Sequence, residues 1–286
     1  MESRANDPKD DPNATDEWSD GSGPTEGDDP DDASGADSSA ILEAFHAKGA
    51  TVVTSGVDRT DVEPTAGADG DSAAGTDRGR RLYDRWSGKE RLYDGLMGLA
   101  APLRDDAFDA LSIESGESVL DLACGPGTNF ERLREAVGPE GTIIGLDYSP
   151  GMARRAAELV DERGWENVHV VLADAAETCG PESSFDAVLT TFALHTMPDA
   201  DAVVENVHDV LGSGGRFVVL DSRPITDGPA RLVNPLYERA IARFVNHQRG
   251  RDTLELLDAP FDRVTVLETY DAGAGYLAVT EKRDGE

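Results

Sequence analysis

The sequence predicts an α/β protein built around a doubly wound parallel sheet. Short apolar runs near residues 117–123, 142–147, 168–173, 185–191 and 215–221 alternate with helix-like segments. Such alternation is typical of parallel strands joined by crossover helices. The last two apolar runs, FDRVTVLETY and GYLAVTEK, are separated only by residues 271–274, which predicts a hairpin and therefore an antiparallel strand.

The first strand leads through a glycine-rich turn into a helix, in VLDLACGPGTNF (residues 119–130). Gly125 and Gly127 allow the backbone to approach a ligand closely, and Thr128 is placed to cap the helix. The unpaired N–H groups at a helix start favour an anionic group. Asp147 ends the next strand, 20 residues beyond Gly127, where a carboxylate can bind both hydroxyls of a ribose. These features predict a site for a nucleoside cofactor.

Phe130 decides which cofactor is favoured. The dinucleotide pattern G-x-G-x-x-G requires a third glycine at this position, to allow close packing of helix and strand beneath a pyrophosphate. A smaller cofactor with an amino-acid tail therefore fits better than NAD. A nicotinamide-dependent oxidoreductase stays as an alternative, and so does a non-catalytic module that binds the same cofactor.

Five ordered segments resemble the class I methyltransferases that use S-adenosylmethionine, within them the small-molecule, quinone and lipid group. The segments are VLDLACGPGTNF, IIGLDYSPGM, VVLADAAE, FDAVLTTFALHTMPD and LGSGGRFVVLD. The resemblance spans most of residues 80–286 and implies a Rossmann-like seven-stranded sheet of order 3-2-1-4-5-7-6, with strand 7 antiparallel. It also implies in-line methyl transfer to an O, N or C centre of a small molecule, such as a quinone precursor or a lipid headgroup.

The resemblance assigns cofactor roles residue by residue. Asp121 would help to hold the methionine portion, Asp147 the ribose, and Asp174 the adenine amino group. In sequence, however, an aspartate that only caps the turn after a strand looks the same as Asp174. The full predicted set is Asp121, Ala123, Gly125, Gly127, Asp147, Tyr148, Met152, Asp174, Ala175 and Thr191.

His195 is the candidate catalytic residue, because histidine titrates near neutral pH and can accept a proton from a methyl acceptor. A base is not obligatory, since the sulfonium methyl group is already electrophilic and alignment in a closed pocket supplies much of the catalysis. The predicted acceptor-binding residues are Tyr83, Tyr93, Phe192, His195, Arg223 and Tyr237. Core packing competes with this role for Tyr83 and Tyr93, and surface salt bridges compete with it for Arg223.

The charge of the chain is extreme, with 57 acidic against 26 basic residues and a net charge of −31. Only 4 of the basic residues are lysines. An aspartate-rich, lysine-poor composition is typical of halophilic proteins, in which strong salt screens the self-repulsion. Nucleic-acid binding relies on basic patches, and the sequence contains no basic run, so a DNA or RNA substrate is not expected.

Composition also divides the chain. Residues 1–79 form an acidic, mostly disordered tail, in which residues 40–57 could form a helical turn and a short extended piece. Residues 80–286 form the methyltransferase domain, with a helical lid at 80–115 and a substrate lid at 222–251. Two cysteines give no disulfide framework or zinc site, so no metal is expected, and a cytoplasmic protein without a transmembrane segment is predicted. The oligomeric state is left open.

Overall fold

A computed structural model describes residues 38–53, 100–225, 228–235 and 252–283. Its helices are α1 (Ser38–Ala47), α2 (Ala101–Leu111), α3 (Phe130–Val137), α4 (Pro150–Arg163), α5 (Ala200–Val210) and α6 (Leu254–Leu257). Its strands are β1 (Thr51–Val53), β2 (Ser118–Leu122), β3 (Thr142–Asp147), β4 (Val168–Leu172), β5 (Phe185–Thr191), β6 (Leu211–Ser222), β7 (Val264–Tyr270) and β8 (Gly275–Glu281). Short 3-10 turns cover Leu194–Thr196, Gly228–Val233 and Asp271–Gly273.

The described strands form one sheet of order β1-β4-β3-β2-β5-β6-β8-β7. Strands β2 to β6 run parallel to one another, and β8 lies antiparallel between β6 and β7. Leaving β1 aside, this is the predicted order, because β2 to β8 are the seven strands expected from the sequence. The predicted fold class and the antiparallel strand are therefore confirmed.

Helices cover both faces of the sheet, as a doubly wound fold requires. Side chains alternate along each strand, so Val119 of β2 packs with α2, α3 and α4, whereas Leu120 packs with α1, α5 and α6. All five residues of β2 and all six of β3 are buried. Continuous burial explains why these two strands read as apolar runs rather than as alternating patterns.

Phe130 takes the room that a third glycine would leave in a dinucleotide-binding fold. Its ring is fully buried under the glycine-rich turn. A Cβ atom added at Gly145, in the middle of β3, or at Gly127 would overlap this ring. The close approach of helix and strand is thus obtained with glycine on the strand and a bulky side chain on the helix, the reverse of the dinucleotide arrangement.

Residues 38–53, which the sequence assigns to the acidic tail, form helix α1 and strand β1. They match the helical turn and the extended piece expected within residues 40–57. Strand β1 pairs antiparallel with β4, with Val53 opposite Val170. Ile41 and Phe45, one helical turn apart, are buried in the core, and Lys48 donates a hydrogen bond from Nζ to the carbonyl of Gly180 at 2.7 Å. A few well-spaced apolar residues anchor this segment despite its acidic surroundings.

Two local expectations need correction. Helix α3 has Asn129 rather than Thr128 at its N-cap, and the Asn129 side chain makes no capping bond. Strand β6 begins directly after α5 at Leu211, and a register shift places residues 212–215 between two paired stretches.

The predicted lids at 80–115 and 222–251 lie largely outside the described residues and stay predictions. Within the described ranges, no helix is both long and apolar enough to cross a membrane.

Candidate active site

A cleft opens at the carboxyl ends of β2, β3, β4 and β5, the edge where open α/β sheets bind ligands. Its lining combines main chain of the glycine-rich turn with side chains that follow the strands. The predicted residues that line it are Ala123, Gly125, Asp147, Tyr148, Met152, Asp174, Ala175, Thr191 and Phe192. The structure therefore brings most of the predicted cofactor residues together with one predicted acceptor-binding residue, Phe192.

Asp147 ties the glycine-rich turn to the end of β3. Its Oδ2 accepts a hydrogen bond from the Gly125 N–H at 2.8 Å, and its Oδ1 accepts one from the Ser149 N–H at 2.9 Å. A carboxylate has about four acceptor positions in all, two on each oxygen. Gly125 and Gly127 have φ values of 58° and 84°, which favour glycine. Gly127 does not line the cleft, and its role is to make room for Phe130.

Asp121 lies beneath the cleft, fully buried at the end of β2. Its Oδ1 accepts a hydrogen bond from Asn129 Nδ2 at 2.9 Å, and the same amide lies 3.4 Å from Thr191 Oγ1. Burial raises the pKa of Asp121 to about 7, with Asp147 adding to the shift and Asn129 and Arg104 opposing it. Asp121 Oδ2 and Asn129 Oδ1 are buried acceptors that meet no donor among the described residues.

Asp174 stands just beyond β4 on the opposite wall of the cleft. Its Oδ1 accepts a hydrogen bond from the Ala176 N–H at 3.0 Å, so the carboxylate does cap the turn that follows the strand. Burial raises the pKa of Asp174, and the nearby Asp199 adds to this shift. Asp199 occupies the N-cap position of α5, but its side chain makes no capping bond, and the residue lines the cleft.

Several further residues of the cleft were not predicted. They follow β5 or belong to the first turn of α5, namely Thr196, Met197, Pro198 and Val203. The run of residues after β5 was the available signal, because the strand ends at the cleft. Phe192 in this run has a φ of 56°, which is strained for an aromatic residue, and Arg104 stacks 5.6 Å from the centre of its ring.

His195 does not line the cleft, although its neighbours Ala193 and Thr196 do. It lies in the 3-10 turn after β5 and is 7% exposed. Its ring Nδ1 lies 2.5 Å from Oδ1 of Asp221, a fully buried carboxylate near the end of β6. The sequence did not single out Asp221, because 26 positions separate the two residues.

Of the other predicted acceptor-binding residues, Arg223 is the one in the described part of the chain, and it does not line the cleft. Arg223 donates from Nε to the Gly273 carbonyl at 3.0 Å and pairs with Asp252 at 3.3 Å, which matches the salt-bridge alternative. Tyr83, Tyr93 and Tyr237 lie outside the described residues.

The fold and the cleft define an α/β domain of the class that binds a nucleoside cofactor at the carboxyl edge of its sheet. Residues 113–255, half of the chain, match the family model described as methyltransferase domain. The chain belongs to this methyltransferase family. It is an S-adenosylmethionine-dependent enzyme that methylates a small molecule. Family membership decides against the nicotinamide-dependent oxidoreductase.

The chain is similar to one enzyme in sequence and to two solved structures in fold. It is 33% identical to a demethylmenaquinone methyltransferase of Geobacillus kaustophilus over 177 residues, covering 58% of this chain and 76% of the relative. A structure of the complex between the Haloferax volcanii Trm112 methyltransferase activator and a methyltransferase superposes with a TM-score of 0.57 at 18% identity, over 70% of this chain and 97% of that one. Phosphoethanolamine N-methyltransferase 2 of Haemonchus contortus, solved with S-adenosyl-L-methionine, gives 0.50 at 15%, over 60% and 50%.

Proposed function

We propose that the protein methylates the ring of a quinone precursor such as a demethylated menaquinone. The observation that carries this proposal is the 33% identity to a demethylmenaquinone methyltransferase over 76% of that enzyme. The resemblance to a phosphoethanolamine methyltransferase is at 15% identity and concerns the fold alone, so a lipid headgroup is less favoured. The apolar side chains Phe192, Met197 and Val203 in the cleft are compatible with an apolar ring.

We place the cofactor along the cleft by the chemistry of its lining. Asp147 would bind the ribose hydroxyls beside the turn, and Asp174 would accept from the adenine amino group, next to Met152. The methionine end would lie over Asp121. Two buried oxygens there, Asp121 Oδ2 and Asn129 Oδ1, offer acceptors that suit a cationic amino group. The residues present thus fit S-adenosylmethionine, which would supply an electrophilic methyl group.

Transfer of a labelled methyl group tests the proposed acceptor. The full chain is incubated in concentrated KCl with methyl-labelled S-adenosylmethionine and with reduced demethylmenaquinone, phosphoethanolamine or buffer alone. We expect label only in the quinone product, at the ring carbon that carried hydrogen. Label in the phosphoethanolamine sample would contradict the quinone assignment. Failure of S-adenosylmethionine to bind, measured by calorimetry on the same preparation, would contradict the cofactor placement.

The affinity for S-adenosylmethionine is expected to rise with pH and to level off above about 7. Asp121 has a pKa of about 7 instead of 3.8, so the empty protein holds a proton there below neutral pH. The cationic cofactor favours the carboxylate, and binding below pH 7 must therefore release this proton. The affinity then falls by up to about tenfold for each pH unit below 7. In the empty protein the same shift costs folding stability as pH rises from 3.8 towards 7, because the fold disfavours the carboxylate.

Calorimetry in buffers of different ionisation enthalpy counts the protons released on binding. Asp121→Asn is the control, since it keeps the shape of the side chain and cannot titrate. We expect its affinity to be lower at neutral pH and independent of pH. A wild-type affinity that does not change between about pH 5.5 and 8, or an equal slope in the variant, would show that Asp121 is not the linked group.

We also infer that the protein works in the cytoplasm at high salt. The two cysteines, Cys124 and Cys179, are both free and buried, which suits a reducing compartment. The net charge of −31 suits concentrated salt. The effect of salt on the stability of the protein tests this inference directly.

A further inference from the structure

The pair formed by His195 and Asp221 lies beside the cleft without being part of its lining. Asp221 sits near the end of β6, next to β5, and its carboxylate is fully buried. Its Oδ2 accepts a hydrogen bond from the His195 backbone N–H at 2.7 Å. Its Oδ1 accepts from the Ser222 N–H at 2.8 Å and lies 2.5 Å from His195 Nδ1. Two fixed N–H donors and one imidazole nitrogen thus converge on one carboxylate.

Among the described residues, the imidazole of His195 is the group that can carry a positive charge next to Asp221. Arg223 is the nearest cation in sequence, but its guanidinium pairs with Asp252 at 3.3 Å. The hydroxyl of Tyr276, from β8, lies 2.5 Å from Thr253 Oγ1, and burial together with Asp221 raises the pKa of Tyr276. This phenol therefore stays neutral. Among the described residues, Asp221 is stabilised by N–H donors and, when His195 gains a proton, by the imidazolium.

We propose that Asp221 is a positioning residue that holds the proton of neutral His195 on Nδ1, so that Nε2 is the nitrogen that accepts a proton from the methyl acceptor. A carboxylate that faces Nδ1 can only accept, which fixes the tautomer. It also stabilises the imidazolium that forms during the reaction. The inference rests on the proposed function and deepens it, because a base at this place serves an acceptor that loses a proton, as the hydroxyl of a hydroquinone does.

The step balances for a hydroquinone ring. The hydroxyl proton passes to Nε2 of His195, and the electron pair of the O–H bond is delocalised to a neighbouring ring carbon. This carbon bonds to the methyl carbon, and the broken S–CH₃ bond leaves its electron pair on sulfur, giving neutral S-adenosylhomocysteine. The methylated carbon then loses its hydrogen as a proton to solvent, the ring becomes aromatic again, and the oxygen takes back the proton held by His195. The base is unchanged at the end, and one proton is released in total.

A purely structural role for Asp221, as a tether between β6 and the 3-10 turn, makes different predictions. An asparagine at position 221 has one acceptor oxygen and one NH₂ group for the two places that Asp221 Oδ1 and Oδ2 occupy. Its NH₂ group must therefore face a backbone N–H in either orientation, and at the Oδ1 place it would also favour the other tautomer of His195. Either role predicts lower stability. Only the positioning role predicts that a change in the protonation of His195 also changes the pH profile of kcat.

Kinetics separate the two roles in the full chain, with S-adenosylmethionine and reduced demethylmenaquinone as substrates. His195→Gln is expected to lower kcat by about 10²- to 10⁴-fold, the usual range for removing a general base, with unchanged cofactor affinity. Asp221→Asn is expected to lower kcat and to move the acid limb of its pH profile to lower pH, since the imidazolium loses its carboxylate. Asp186→Asn is the matched control, because Asp186 Oδ2 also accepts a backbone N–H, from Ser118 at 2.8 Å, at the opposite end of the strands. Its kcat profile should match that of the wild type.

Nitrogen-15 spectra of the imidazole rings test the tautomer without any acceptor. The chain has 5 histidines, and the signal missing in His195→Gln assigns the relevant one. We expect neutral His195 to carry its proton on Nδ1 in the wild type and to lose this preference in Asp221→Asn. A proton on Nε2 in the wild type, or an acid limb that stays in place in a folded Asp221→Asn variant, would overturn the proposal. If the wild type binds the cofactor but does not methylate the quinone, the acceptor assignment fails while the spectra still decide the role of Asp221.

Discussion

Replacing Asp147 with alanine is expected to weaken the binding of S-adenosylmethionine by about 10²- to 10⁴-fold. Hydrogen bonds to a charged group contribute about 1.5–3 kcal/mol each, and a ribose offers two hydroxyls to this carboxylate. The substitution also removes the acceptor for the N–H groups of Gly125 and Ser149, which hold the glycine-rich turn against β3. Direct contacts and the shape of the turn are lost together, which makes this the largest single-residue effect we expect on cofactor binding.

Calorimetry with S-adenosylmethionine measures this effect, and two further variants show its origin. Asp147→Asn keeps the volume and one acceptor oxygen, so its loss should lie between those of the wild type and Asp147→Ala. Asp186→Ala removes another carboxylate that accepts a backbone N–H, at the far end of the strands, and should bind normally. Excess NAD should not displace the cofactor. If Asp147→Ala is folded by circular dichroism and binds within about threefold of the wild type, Asp147 is not the ribose ligand.

The convergence of Gly125, Asp147 and Asp174 on one cleft could be predicted from the sequence because each residue has a fixed place relative to a strand. Gly125 follows β2, Asp147 ends β3 and Asp174 follows β4, and parallel strands place their carboxyl ends at one edge. The hydrogen bonds between side chains near this edge could not be predicted from the sequence. Asn129 is 62 positions from Thr191, and Asp221 is 26 positions from His195, so only the folded chain shows these partners.

Composition alone also missed the packing of residues 38–53, which the sequence analysis assigned to a mostly disordered tail. The average composition of the first 79 residues is strongly acidic, and such a composition indicates disorder. The few apolar residues that pack in the core hardly change this average. Ile41, Phe45 and Val53 nevertheless find partners in the sheet and under its helices. The edge of β4 is covered by β1, so the outer strand on this side of the sheet has only 3 residues, and a short edge strand offers little to another chain. Arg223 shows the opposite case, in which a residue chosen for substrate binding is used in an ion pair.

Salt should have the largest effect on the stability of the whole protein. The net charge of −31 is spread over a single chain, and self-repulsion opposes the compact state. The Debye length falls from about 10 Å at 0.1 M salt to about 3 Å at 1 M, so most of this repulsion disappears over that range. Salt also weakens favourable pairs such as Arg132 with Asp105 and Arg163 with Glu131, whose side chains are about half exposed or more. Exposed pairs contribute at most about 1 kcal/mol each, so the loss of repulsion should dominate.

We therefore expect the melting temperature to rise by about 10 °C or more between 0.1 M and 1 M KCl, given about 2–4 °C per kcal/mol for a chain of this size. Screening predicts that the rise levels off near 1 M, because the Debye length changes little in absolute terms beyond that concentration. Exclusion of solute from the protein surface would instead raise the melting temperature steadily, and sucrose would act in the same way. Scans in KCl and in sucrose up to the same osmolality separate these two causes. A melting temperature that is constant or falls as KCl is added would mean that the acidic composition does not govern folding stability in this protein.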